Sequence, residues 1–130
     1  MRFMTIVKSS EDYRVGPPPQ ALMDAIARLG EEATKSGELL DTQGLSPSSV
    51  GAKVSLYGGE VTVTDGPFTE AKETISYAIY EVASKEEAVE WASRFMKAHR
   101  DLWPIWEGDA EILKVFGPED FADTGVNRPG

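Results

Sequence analysis

The sequence contains no cysteine and only one histidine, His99, in 130 residues. The absence of cysteine excludes disulfides, thiolate metal sites and cysteine nucleophiles. A single histidine excludes a metal site built from several histidines of one chain. The sequence also lacks a phosphate-binding loop, a dinucleotide fingerprint and a nucleophile elbow. We therefore expect neither a metal ion nor a cofactor, and phosphoryl transfer, nicotinamide chemistry and serine hydrolysis have no support.

Positive charge and long apolar runs are also scarce. Lys and Arg total 13 against 22 Asp and Glu, which gives a net charge of −9. Nucleic-acid-binding domains usually carry a basic face, because neutralising phosphates supplies most of their affinity. No segment approaches the roughly 20 apolar residues that cross a bilayer, and no stretch near Met1 resembles a signal-peptide core. We predict a cytoplasmic protein that binds neither nucleic acid nor membrane.

Two amphipathic helices are indicated by apolar residues at helical spacing. The first follows the proline-rich segment 16–19, where proline suits the first helical turn, and ends at Gly37. The second opens with a capping box, Ser84 to Glu87. The apolar stripes consist of Leu22, Ile26, Leu29 and Ala33 in the first helix and of Ala88, Trp91, Ala92 and Phe95 in the second.

A β-hairpin is predicted around Gly58 and Gly59, because a type I′ turn needs two residues with positive φ. Its register places Leu56 opposite Val61 and Val54 opposite Val63, so that the apolar side chains share one face. With the remaining strands, predicted at 3–7, 38–41, 74–82 and 112–116, the element order is β-α-β, hairpin, β-α-β. This order predicts an α+β, ferredoxin-like α/β sandwich with an inserted β-hairpin.

The strand at 74–82 is apolar on both faces. Ile75, Tyr77 and Ile79 alternate with Ala78, Tyr80 and Val82. Such a strand must be covered on both faces, and two helices can cover only one side of the sheet. The simplest second cover is another copy of the same sheet, so we predict a homodimer. In the alternative, the hairpin and the C-terminal tail fold over the uncovered face.

The segment Thr64-Asp65-Gly66-Pro67-Phe68, followed by 69–73, resembles the signature of the YCII-related family, in the branch named for its Asp-Gly-Pro-Phe motif. The flanks at 44–47, 87–92 and 99–108 are similar to that branch as well. The resemblance extends to about Phe121, so we predict one domain over residues 1–121 and a flexible C-terminal tail over residues 122–130.

The resemblance implies a ferredoxin-like subunit that pairs as a dimeric α/β barrel, with a pocket between the sheet and the dimer interface. It implies little about a reaction, and relatives occur beside or fused to extracytoplasmic-function sigma factors. The sequence departs from the pattern in two places. Some members of the family resemble enzymes with a His-Asp pair, whose histidine lies near the N-terminus. The first strand of this chain and the loop after it contain no histidine, so that pair cannot form here. Thr74-Ile75-Ser76-Tyr77 stands where a Gly-Gly-aromatic run is expected.

Two residues are candidates for acid/base chemistry. Asp65 lies on a turn that Gly66 and Pro67 make rigid, and an aspartate held in this way can act as a general acid or base. The alternative is that it only forms the turn. His99 titrates near neutral pH, but it also lies in the last turn of a helix, where a cation interacts favourably with the helix dipole. If His99 reaches Asp65, the two form a substitute dyad.

Six further residues are candidates for ligand binding, each with a structural alternative. The two tryptophans of the loop 103–106 could line a ligand pocket, pack in a dimer interface or hold the loop against the domain. A packing role is the usual one for tryptophan. An arginine near the first strand would meet an anionic group, or simply lie in solvent. The six candidates are Phe68, Lys72, Tyr77, Arg14, Trp103 and Trp106.

Two functions remain open. In the first, the protein is a small homodimer whose cleft binds a small organic molecule and transforms it by acid/base chemistry, with Asp65 as the acid or base. In the second, it is a non-catalytic module that senses a ligand or contacts a regulatory protein such as a sigma factor.

Overall fold

The computed structural model describes residues 1–9, 16–68, 72–118 and 120. The element order agrees with the prediction, and a short 3-10 turn at Ser48–Val50 precedes the hairpin. The predicted tail at 122–130 and the candidate Arg14 lie outside the described residues. The elements are β1 (Arg2–Ser9), α1 (Gln20–Lys35), β2 (Leu39–Gly44), β3 (Ala52–Tyr57), β4 (Glu60–Asp65), β5 (Glu73–Glu81), α2 (Lys85–Leu102) and β6 (Gly108–Lys114).

Four strands form an antiparallel sheet in the order β2-β5-β1-β6. The central strand β1 buries every second residue, and Phe3, Thr5 and Val7 face the two helices. Phe3 lies opposite Tyr80 of β5, and both belong to a core that includes Ala33 of α1 and Trp91 of α2. The predicted α+β, ferredoxin-like class is therefore confirmed.

The helix ends follow the signals in the sequence. The extended backbone of Pro19 precedes α1, and Gly37 takes a φ of 81° just beyond its C-terminus. At the start of α2, the Ser84 side chain accepts a hydrogen bond from the Glu87 backbone N–H at 3.3 Å. The Glu87 carboxylate accepts from the Ala83 N–H at 2.9 Å, one residue before the N-cap position at which a capping box makes this bond.

The hairpin β3-β4 has the predicted register, and Gly58 and Gly59 have φ values of 57° and 78°. It forms its own two-stranded sheet rather than extending the main one. The four apolar side chains that its register places on one face are each between 64% and 68% exposed; they are Val54, Leu56, Val61 and Val63.

The sheet face opposite the helices, here called the open face, is apolar at one end, whereas the ion-paired Lys8 and Glu111 lie on the same face at the other end. Met4, Ile6 and Ile79 are half-buried there, and Leu113 of β6 is 52% exposed. Both helices pack on the other face, because Ala33 and Trp91 belong to the core around Phe3. The open face is the surface on which the predicted homodimer depends.

Strand β6 begins four residues earlier than predicted. The prediction began at Ile112 because a continuous apolar run starts there, but the strand already alternates from Gly108. The polar residues of this first part form ion pairs: Glu111 with Lys8 at 3.0 Å, and Asp109 with Lys72. An antiparallel strand can carry charged residues on a face that is in contact with water. The start of β6 predicted from the apolar run alone was therefore wrong.

Candidate functional site

His99 lies in an aromatic cluster at the C-terminal end of α2. Its side chain is buried, at 4% exposure. The centre of its ring is 4.5 Å from that of Phe95, 4.3 Å from that of Trp106 and 6.4 Å from that of Trp103. The structure therefore brings together three of the predicted site residues, His99, Trp103 and Trp106.

Local backbone geometry builds this cluster. Phe95 and His99 share a helix face because they are four residues apart. The Trp103 N–H donates to the His99 carbonyl at 2.8 Å, and the Trp106 N–H donates to the Trp103 carbonyl at 2.9 Å, so the chain folds back. A side chain at Gly108 would lie 2.5 Å from the Trp106 ring and 2.7 Å from the Lys8 carbonyl oxygen. Glycine at 108 thus lets the Trp106 ring approach the start of β6.

The surroundings of His99 favour the neutral form of its imidazole. Its Nδ1 lies 2.9 Å from the Phe95 carbonyl oxygen. Because a carbonyl only accepts hydrogen bonds, Nδ1 carries the proton and Nε2 is the acceptor nitrogen. Burial lowers the pKa of His99 below its usual value, and the hydrogen bond to Phe95 opposes this effect only in part. A cationic role at the helix end is therefore not what this environment favours.

His99 and Trp103 line a surface depression of about 370 Å³, here called the outer cleft. It adjoins a smaller inner cavity of about 80 Å³ between the sheet and the helices. The two share Ile26, Thr42, Ser76 and Phe95. The described residues that line either space include no Asp, Glu, Lys or Arg. The outer cleft is lined by Pro18, Leu22, Met23, Ile26, Thr42, Gln43, Gly44, Ile75, Ser76, Phe95, His99 and Trp103.

Thr5 lines the inner cavity and was not among the predicted site residues. It is 4% exposed, and within the described part of the chain its hydroxyl has no hydrogen-bond partner. Buried polar groups are normally paired, so this hydroxyl is an exception that calls for an explanation. The available signal was a threonine between Phe3 and Val7, on the inward face of an otherwise apolar strand.

The Asp-Gly-Pro-Phe motif forms the base of the hairpin. Asp65 is the exposed last residue of β4, opposite Ala52. The Gly66 N–H donates to the Gly51 carbonyl at 3.0 Å, and a side chain at Gly66 would overlap the Ser48 carbonyl oxygen. The Gly66–Pro67 peptide bond is cis. These contacts give the motif a role in the turn, and Asp65 is not among the residues that line the outer cleft or the inner cavity.

Phe68 extends this turn. It is half-buried, and its N–H lies 3.3 Å from the Ser48 hydroxyl. The Lys53 ammonium group is 5.7 Å from the centre of its ring. Ser48 in turn donates to the buried Glu73 carboxylate at 2.7 Å, a contact that the sequence did not suggest. Phe68 and Glu73 also line a separate surface depression, away from His99.

The remaining candidates lie on the sheet. Lys72 is exposed and forms its ion pair with Asp109. Tyr77 borders the inner cavity, and its hydroxyl donates to Asp41 at 2.8 Å. That hydrogen bond is the main reason why the pKa of Tyr77 is raised. Tyr77 thus borders the inner cavity, whereas Lys72 belongs to an ion pair at the sheet surface.

Two structural findings restrict the kinds of site present. Among the described residues, no helix is long and apolar enough to span a membrane. In the same part of the chain, no three His, Asp or Glu side chains are grouped so that they could hold a metal ion.

Comparison with known proteins agrees with the architecture. A search of curated proteins found no significant match to this chain. The sequence model of the YCII-related domain matches residues 1–105, which include the hairpin, the Asp-Gly-Pro-Phe motif and all of α2. Membership of the branch named for that motif stays a prediction. Since the match covers most of the 130 residues, the chain belongs to the YCII-related domain family.

Proposed function

We propose that this protein binds a small organic molecule in the outer cleft and exchanges a proton with it through His99. The observation that carries this proposal is the geometry of His99: a buried imidazole on the wall of a largely apolar cleft, oriented by the hydrogen bond from its Nδ1 to the Phe95 carbonyl. Concave apolar spaces with a few placed polar groups are the usual binding sites for small molecules.

The surroundings of His99 suit proton transfer. The hydrogen bond from Nδ1 to Phe95 fixes the tautomer, so Nε2 is the nitrogen that accepts a proton. The neighbouring rings of Phe95 and Trp106 restrict how the imidazole turns. When Nε2 takes up a proton, the Phe95 carbonyl stabilises the charged ring, which partly offsets the cost of burial. A base with these properties removes a weakly acidic proton next to a carbonyl group.

Asp65 is the other acid/base candidate, and it defines a separate hypothesis. The support for it is the rigid turn around Gly66, which holds the carboxylate at a fixed place beside the hairpin. Because Asp65 does not line the outer cleft, its substitution should not affect binding there. The two hypotheses can therefore be separated by single substitutions.

We propose that the functional unit is a homodimer. Support comes from the open face, where Met4, Ile6 and Ile79 are incompletely covered, and from the exposed apolar side of the hairpin. A second copy of the sheet would cover the open face with a surface of matching character. The hairpin would then bury its apolar side against the partner or against the joined sheets.

A non-catalytic function is the second candidate. The observation that favours it is that the described lining residues provide no carboxylate beside His99. A histidine without such a partner is well suited to accept a hydrogen bond from a ligand. The protein would then sense a small molecule and act on a regulatory partner such as a sigma factor.

The experiment uses phenylacetone as a probe, because it is small and has weakly acidic protons beside its carbonyl group. Binding is measured by the change in tryptophan fluorescence, and proton transfer by NMR, as deuterium uptake from D₂O. We expect wild type to bind the probe and to accelerate exchange. His99→Phe, which keeps an aromatic ring, should bind and lose the acceleration, whereas Asp65→Asn should behave as wild type.

The other outcomes decide between the hypotheses. If Asp65→Asn abolishes exchange and His99→Phe does not, Asp65 is the acid or base. If wild type binds the probe without exchange, the sensing function is supported. Absence of binding to the wild-type protein contradicts the assignment of the outer cleft as the site. Circular dichroism of each variant shows whether the fold is kept.

A further inference from the structure

We infer that the ligand of this site is uncharged and mainly apolar, with a short arm that ends in a hydroxyl or carbonyl group and reaches Thr5. This inference rests on the proposed function, since it assumes that the outer cleft is the entrance. It adds the chemical class of the ligand and a specificity residue that the family match does not assign.

The position of Thr5 is the first argument. It lies in the central strand β1, opposite Ala78 of β5 and Ile112 of β6. Thr5 is among the residues that line the inner cavity, and its hydroxyl is fully buried beside it without a hydrogen-bond partner in the described part of the chain. Rotation of the side chain about its Cα–Cβ bond is what would turn the hydroxyl towards a ligand in the cavity. A buried, unpaired hydroxyl costs stability, and a ligand that supplies the missing hydrogen bond recovers part of that cost.

Thr42 offers an informative contrast. It also lines both the inner cavity and the outer cleft. Its hydroxyl, however, donates to the Tyr77 carbonyl at 2.8 Å, so its donor proton is already used. Of these two threonines, only Thr5 has a donor proton left for a ligand.

Charge is the second argument. In the outer cleft and the inner cavity, the described lining residues include no Asp, Glu, Lys or Arg. The one histidine is kept neutral, because burial lowers the pKa of His99. A charged group on the ligand would lose its water without gaining an opposite charge, which is strongly unfavourable. The net charge of −9 further disfavours anions.

Shape is the third argument. The outer cleft has about 370 Å³ and carries the aromatic side chains Phe95, His99 and Trp103. The inner cavity has about 80 Å³, which is less than the roughly 150 Å³ of a cavity known to hold benzene. A ring therefore fits the outer cleft, and only a chain of a few atoms fits beyond it. Thr5 is at the place where such a chain would end.

The experiment compares three probes that share a phenyl ring: 2-phenylethanol, n-propylbenzene and phenylacetate. The first two differ only in a terminal hydroxyl or methyl group, and the third carries a negative charge. Dissociation constants are measured by tryptophan fluorescence and NMR for wild type, Thr5→Val and the matched control Thr42→Val. The quantity of interest is the ratio of the constants for n-propylbenzene and 2-phenylethanol, which cancels general differences in hydrophobicity between proteins.

We expect this ratio to be about threefold to tenfold larger in wild type than in Thr5→Val, the range expected for one hydrogen bond. Thr42→Val should keep the wild-type ratio, and phenylacetate should bind at least tenfold more weakly than 2-phenylethanol. Nuclear Overhauser contacts should join the hydroxyl-bearing arm to the Thr5 methyl group. If Thr5→Val does not fold, Thr5→Ser and Thr5→Ala give the same comparison.

The possible results of this experiment refute different parts of the inference. Equal ratios in wild type and Thr5→Val overturn the role of Thr5, although binding of the probes would leave the proposed site intact. Phenylacetate binding as tightly as 2-phenylethanol overturns the requirement for an uncharged ligand. If none of the three probes binds to wild type, the outer cleft is not the site, and the proposed function fails together with this inference.

Discussion

Replacing Thr5 by valine should make the free protein more stable. Valine has nearly the shape of threonine, so the change removes one hydroxyl and leaves the packing in place. That hydroxyl is buried and lacks a partner within the described residues. Folding therefore removes its hydrogen bonds to water without replacing them, which lowers the free energy of unfolding. Burying such a group costs about 1–3 kcal/mol in protein mutational data. We expect the free energy of unfolding to rise by about 1–2 kcal/mol.

Urea unfolding, followed by tryptophan fluorescence at a fixed protein concentration, measures this change. The midpoint should rise with an unchanged dependence on urea, since the surface exposed on unfolding stays the same. For a domain of this size, the melting temperature should increase by about 3–8 °C. The control is Thr42→Val, which removes an exposed hydroxyl that donates to the Tyr77 carbonyl. Because water can replace this hydrogen bond in part, the free energy of unfolding should fall by less than about 1 kcal/mol.

The result that would refute the reasoning is a loss of stability in Thr5→Val similar to that in Thr42→Val. The Thr5 hydroxyl would then be paired in the free protein, for example by an ordered water molecule. Thr5→Ser separates hydroxyl from methyl: it keeps the hydroxyl, loses packing, and should be less stable than wild type.

Three other predictions test the remaining parts of the structure. In an NMR titration, the pKa of His99 should lie below about 6.5, its usual value. The unfolded chain then binds a proton at this histidine more readily than the folded chain does. The contribution of His99 to the free energy of unfolding should therefore be fully present above pH 6.5 and should be lost as the pH falls from 6.5 towards the folded-state pKa. Gly66→Ala should lower the free energy of unfolding by at least about 3 kcal/mol in urea, because its methyl group overlaps the Ser48 carbonyl, and a stability within 1 kcal/mol of wild type would contradict that packing. Sedimentation should show a dimer that Ile79→Glu, on the open face, converts to monomer, whereas the exposed control Lys97→Glu should leave it unchanged; a stable wild-type monomer would contradict the proposed homodimer.

The features that could be predicted from the sequence are those determined by residues close to one another in the sequence. The hairpin register follows from Gly58 and Gly59 together with two alternating segments. The proximity of Phe95 and His99 follows from helical spacing alone. Strand β6 was placed too late because its first part alternates charged and small residues, and only the pairing with β1 shows it to be a strand. That pairing joins residues about 100 positions apart, so a local pattern does not contain it.

The candidate site depends on contacts of this second kind. The sequence singled out Asp65 for its rigid turn, and the turn is present, but the position of that turn relative to His99 is decided by how the hairpin leaves the sheet. The inner cavity likewise exists because side chains of β1, β5 and both helices leave space between them. A threonine at an inward position of β1 is visible in the sequence, whereas the absence of a partner for its hydroxyl is a property of the assembled layers.

The resemblance and the structure together restrict where chemistry can be located in this chain. No histidine precedes His99, so a pair built from an N-terminal histidine is impossible, and any imidazole chemistry must take place at the end of α2. At that point, Gly108 allows Trp106 to pack close to the sheet, and the aromatic cluster keeps the ring buried and neutral. The same burial removes charged groups from the described walls of the cleft. A weak base and an uncharged ligand are therefore two consequences of one packing arrangement, and a variant that exposes His99, such as Trp106→Ala, should raise its pKa and weaken the discrimination against phenylacetate together.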